Sequence, residues 1–103
     1  MTNSNLRGPF YIGEKRWLKF NFSDELDGVQ IASVVFTPEA PVTEVGGSST
    51  IYTRNTTNDS VKARFDFSSA VADTRYSITA TVTAADGEVL KGTIVAIVRA
   101  LPV

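Results

Sequence analysis

The chain contains neither cysteine nor histidine. Without cysteine there is no disulfide framework, no thiol chemistry and no zinc site of the cysteine type. Without histidine, the commonest general base and the commonest metal ligand are both missing. Catalysis would then need Ser or Thr activated by Lys, or a pair of carboxylates. Lys15, Lys19, Lys62 and Lys91 read as outward or turn positions, and Asp24/Asp27 and Asp86/Glu88 fall in loops. No catalytic residue, no cofactor and no metal site is therefore expected, and the chain reads as non-enzymatic. The acids around 24–27 lack the spacing of a calcium loop. A dominant charge sign is lacking too. Ten basic residues face eleven acidic ones, for a net charge of −1. Basic residues do not interleave with aromatic ones along the chain, so a nucleic-acid partner is not expected. The longest apolar run, Ile94 to Val98, is too short to cross a bilayer, so no membrane partner is expected either. The polar start, MTNSNLRGPF, has no apolar core and does not read as a secretory signal.

What is present is alternation. In Thr74 to Thr83, Tyr76, Ile78, Ala80 and Val82 share one face, while Arg75, Ser77, Thr79, Thr81 and Thr83 share the other. That period of two is a half-buried strand. Asp86-Gly87 signals a hairpin into the β-branched run Val89 to Ala100. A three-residue loop, Ala85-Asp86-Gly87, would pair Val82 with Leu90, Ile78 with Ile94 and Tyr76 with Ala96. It would also put Gly87 at the left-handed position of a bulged turn. This register sends Val95 and Ile97 outward, since a one-residue slip exchanges the faces.

The rest of the chain reads in short strands. Lys15 to Phe22 directs Leu18, Phe20 and Phe22 to one side and Trp17, Lys19 and Asn21 to the other. Ser23 to Gly28 holds at most one helical turn, with Ser23 or Asp24 as cap. Val29 to Thr37 is apolar on both faces, with Val34 and Phe36 on the side opposite Val35. Pro38 and Pro41 keep the next segment out of a central strand, leaving an edge strand within Val42 to Val45. Thr50 to Arg54 is a short strand, Asn55 to Ser60 a loop tip, and Val61 to Phe67 a strand with Val61, Ala63, Phe65 and Phe67 inward. Residues 1–13 form an N-terminal arm in this reading, with Phe10, Tyr11 and Ile12 as anchors, and residues 14–103 form the domain. The small-residue turn before Thr74-Arg75-Tyr76 suggests a tyrosine corner, with the Tyr76 hydroxyl bonded back to upstream main chain. About seven strands without a useful helix predict an all-β, immunoglobulin-like antiparallel β-sandwich with no disulfide.

The run GEKRWLKFNF, the acidic turn after it, the run QIASVVFTPEAPV and the stretch from Thr74-Arg75-Tyr76 through Val82-Thr83 to Gly87 resemble small immunoglobulin-like structural proteins of tailed bacteriophages. The resemblance covers about Gly13 to Arg99. It implies a capsid decoration or minor capsid protein that binds the major capsid protein at the virion surface, after synthesis in the host cytoplasm. It implies no catalytic residues. The alternative is a tail, fibre or cell-surface binding module that holds protein or glycan. Surplus apolar surface points to a homo-oligomer, and the capsid setting suits a trimer. Its candidate interface residues are Phe10, Tyr11, Ile12, Trp17, Val34, Phe36, Val95 and Ile97.

Overall fold

The protein is described here by a computed structural model covering residues 4–53 and 57–100. Eight strands and one helical turn follow in order: β1 (Ser4–Tyr11), β2 (Lys15–Asn21), α1 (Ser23–Leu26), β3 (Ile31–Pro38), β4 (Thr43–Glu44), β5 (Thr50–Thr53), β6 (Asn58–Asp66), β7 (Thr74–Ala84) and β8 (Val89–Arg99). The first sheet has the order β1-β8-β7-β3. The second has β2-β6-β4, with β5 also paired to β6. All pairs are antiparallel except β1 with β8. This is the expected immunoglobulin-like sandwich: the third strand joins the closing hairpin, and the second joins the sixth.

The β7–β8 hairpin has the expected register. Val82 faces Leu90, Ile78 faces Ile94 and Tyr76 faces Ala96. Gly87 sits at φ +93°, where a side chain would be strained. Its N–H donates to the Ala84 carbonyl at 2.9 Å. The tyrosine corner is also present, as the Val71 N–H donates to the Tyr76 hydroxyl at 2.8 Å. The ring is buried and its polar tip is satisfied.

Between the sheets lie the inward residues of every long strand. Phe36 links the layers, with its ring centroid 5.7 Å from Phe20 and 5.6 Å from Phe65. At the far end Phe10 stacks on Phe67 at 5.2 Å. At the other end α1 is a lid of one turn that buries Leu26. Its cap position is Phe22, with no side-chain hydrogen bond, so neither Ser23 nor Asp24 caps it. The Phe22 ring lies over Gly92, where an added Cβ would come within 3.2 Å of it.

Besides β6, which already begins at Asn58 inside the expected loop tip, two elements depart from the sequence reading. The two-sided apolar character of β3 is resolved by a bulge between Ile31 and Ser33. The extra residue, Ala32, lets Ile31 and Phe36 both face inward although they are five positions apart. Val34 is half-buried on that same inner side, and Val35 points out. The other departure is the expected arm. Its described part is a strand of the first sheet, paired in parallel with β8. Residues 1–3 lie outside the described residues, as do residues 54–56 of the expected loop and strand end. β1 buries Phe10 and closes an edge that β8 would otherwise leave open. A bulge at Gly8-Pro9 turns it toward the core.

Candidate functional site

With the core assigned, three surfaces remain. The outer face of the first sheet is rich in threonine and also carries Arg75, Lys91 and Arg99. Cross-strand pairing sets Leu6 beside Val95, Val35 beside Thr81, and Val89 beside Thr83. Leu6, Val35 and Val89 are 51, 65 and 56% exposed. Val95 and Ile97 are half-buried on this same face. Thr79 and Thr93 share a hydroxyl hydrogen bond of 3.1 Å at its centre. Threonine suits such a position, because its methyl packs and its hydroxyl finds a cross-strand partner. The Arg99–Asp73 ion pair, at 3.5 Å, lies at one end.

The outer face of the second sheet is basic and aromatic. Trp17 is paired with Arg64, and Lys19 with Lys62. The Lys62 ammonium lies 5.2 Å from the Trp17 ring centroid and 5.3 Å from that of Tyr52. Arg64 lies 6.0 Å from the Trp17 ring. Like charges directly opposite one another are unfavourable. The aromatic faces offset this, at about 0.5–1 kcal/mol per exposed cation–π contact. One carboxylate, Asp66, stands at the end of this face opposite Lys15. Its oxygen accepts hydrogen bonds from the Ser68 hydroxyl and main-chain N–H. The Ser68 hydroxyl, then the Ser68 N–H and more weakly Lys15, hold its carboxyl below the usual range. Beside this face, Ser48 anchors the Gly46-Gly47 loop. Its hydroxyl donates to the Val45 carbonyl at 2.6 Å and accepts from the Arg64 N–H at 3.0 Å.

The third surface is a groove of about 430 Å³ between the edge strands β1 and β2. Phe10, Leu18 and Ile94 form its apolar depth; Arg7, Arg16, Trp17 and Lys19 line its mouth. No carboxylate lines it. Arg16 is held by Glu14 at 3.2 Å and lies 5.0 Å over the Phe10 ring. Lys19 belongs to neither of the two ion pairs among the described residues.

The expected interface residues therefore separate. Phe10 and Phe36 are core, 5 and 7% exposed, because each fills a gap between the sheets. Val34 packs against the same core, as does Ile12. Tyr11 is half-buried, and its main-chain N–H donates to Glu14 Oε1 at 2.9 Å. Trp17 is surface, 46% exposed. Val95 and Ile97 share the outward face with Leu6 and Val35, which the sequence reading did not single out. The basic residues do interleave with aromatics, across strands and not along the chain. The only sequence sign of this was Trp17 between Lys15 and Lys19. Among the described residues, no group of three or more His, Cys, Asp or Glu side chains is placed to hold a metal ion. No family model, curated protein or solved structure matches the chain.

Proposed function

We propose that the chain is a non-enzymatic structural protein of a tailed-phage virion. In this reading it is a capsid decoration or minor capsid protein that stabilises the shell through subunit contacts. The observation that carries the reading is the outer face of the first sheet, where exposed Leu6 stands beside Val95 with Ile97 next along β8, and exposed Val35 and Val89 stand at the other end. An apolar face of this kind is covered when subunits associate, and its burial supplies the contact energy at about 25 cal/mol per Å². The resemblance of the β2, β3 and β7 motifs to phage sandwich proteins supplies the setting. The major capsid protein is the partner, and a closed homo-oligomer, a trimer in the capsid setting, is the assembled form.

Reconstitution tests this. Purified protein is added to particles that lack it, and occupancy is measured by co-sedimentation. The wild type should bind at saturable sites, and Leu6→Lys with Val35→Lys should abolish binding while leaving the circular dichroism spectrum unchanged. Equal occupancy by wild type and variant would remove the outer face from the reading. A second reading, a tail, fibre or cell-surface binding module, is favoured by the Trp17–Lys62–Tyr52 cluster. It would be preferred if the chain failed to bind particles and bound host-cell surface material instead.

A further inference from the structure

The groove between β1 and β2 combines features that the outer-face reading leaves unused. We propose that it takes an extended, acidic segment of a partner protein, laid alongside β2 as an added strand. β2 ends its sheet, so among the described residues one row of its main-chain donors and acceptors pairs with no strand. Such an edge is a template for another chain. The opposite wall, β1, is also an edge, but its bulge and Pro9 break the row of donors. β2 is the wall that can receive a strand.

The side chains indicate which strand. Alternate residues of an added strand would face the apolar depth, where Phe10 and Leu18 lie, and the intervening ones would face the mouth. Lys15, Trp17 and Lys19 stand on that outer row, while Arg7 and Arg16, paired with inward Ala96 and Phe65, flank the apolar row, and no carboxylate lines the groove. An apolar–acidic alternation satisfies both rows. The same cations oppose a second copy of β2, which would bring Lys15 and Lys19 against their own kind. A sugar or nucleic-acid polyanion would use the cations but leave the row of main-chain groups and the apolar depth unfilled. The inference does not depend on the outer face of the first sheet.

Trp17 is the single tryptophan of the chain and lines the groove, so its emission reports occupancy directly. The test titrates the full chain with a capped peptide of alternating Asp and Val, about as long as β2. Amide hydrogen exchange of β2 is followed in parallel. The expected result is a saturable change in Trp17 emission that weakens with salt, together with slowed exchange of β2 amides. Arg7→Glu with Lys19→Glu should weaken binding about tenfold or more and should transfer preference to a Lys–Val peptide. Glu25→Gln, on the α1 turn at the other end of the sandwich, should change nothing. The proposal is overturned if the peptide leaves Trp17 emission unchanged. It is overturned equally if heparin or oligothymidine binds as tightly as the peptide, or if binding leaves β2 exchange unprotected, since either would mark a general polyanion surface.

Discussion

Tyr76 shows how one hydroxyl fixes a turn. Its ring belongs to the core, and its oxygen accepts from the Val71 N–H. Tyr76→Phe keeps the ring but leaves that donor without its partner. We expect a loss of about 1–2 kcal/mol in urea unfolding with an unchanged denaturant slope; a loss near zero would mean that water replaces the bond. Asp66 gives a pH-dependent counterpart. Hydrogen bonds from Ser68 depress its folded-state pKa. Its contribution is therefore present above the unfolded-state pKa and is lost as pH falls through the folded one. In a carbon-detected titration, Ser68→Ala should raise the Asp66 pKa toward the ordinary aspartate value. Gly92 is legible only in three dimensions: a side chain there meets the Phe22 ring, so Gly92→Val should displace Phe22 and the α1 turn behind it.

At the scale of elements, the hairpin was readable because its information is local. Alternation assigns the faces, and a glycine at the left-handed position sets the loop length. The β6 pattern was readable for the same reason. β3 was not, because its bulge converts two half-faces into one. Val34 and Phe36 look like a second apolar face until Ala32 is recognised as the extra residue. Deleting Ala32 should force either Ile31 or Phe36 out of the core, and the domain should lose about 3 kcal/mol or fail to fold, by thermal melting. The strand nature of residues 4–11 was hidden because their partner lies some ninety positions later and the pairing is parallel. Only the anchor, Phe10-Tyr11-Ile12, showed that the segment was more than a tail. Gly8 is the close point of this docking. An added Cβ would sit 2.8 Å from the Ile97 carbonyl oxygen, at a backbone φ of +130°. Gly8→Ala should loosen the β1–β8 pairing, seen as faster amide exchange in β1 with little change in β6.

At the scale of the whole molecule, the core and the surfaces follow different rules. The core takes one side of each strand, and that side is written in the period of the sequence. The candidate sites are assembled across strands. The apolar outer face draws on β1, β3 and β8, the basic aromatic face on β2, β5 and β6, and the groove on two edges that belong to different sheets. Cross-strand neighbours decide these surfaces, which is why Val95 and Ile97 were legible from the hairpin while Leu6 and Val35 were not. The proposed role of the protein rests on the outer face of the first sheet being covered by other subunits. The most direct measurement is the solution mass of the full chain by light scattering after size exclusion, for the wild type and for Val95→Lys. We expect the wild type to elute as a closed oligomer, and Val95→Lys to elute at the mass of one folded chain. A wild type that is monomeric at all attainable concentrations, or a variant oligomer identical to the wild type, would contradict the assembly of this protein through that face.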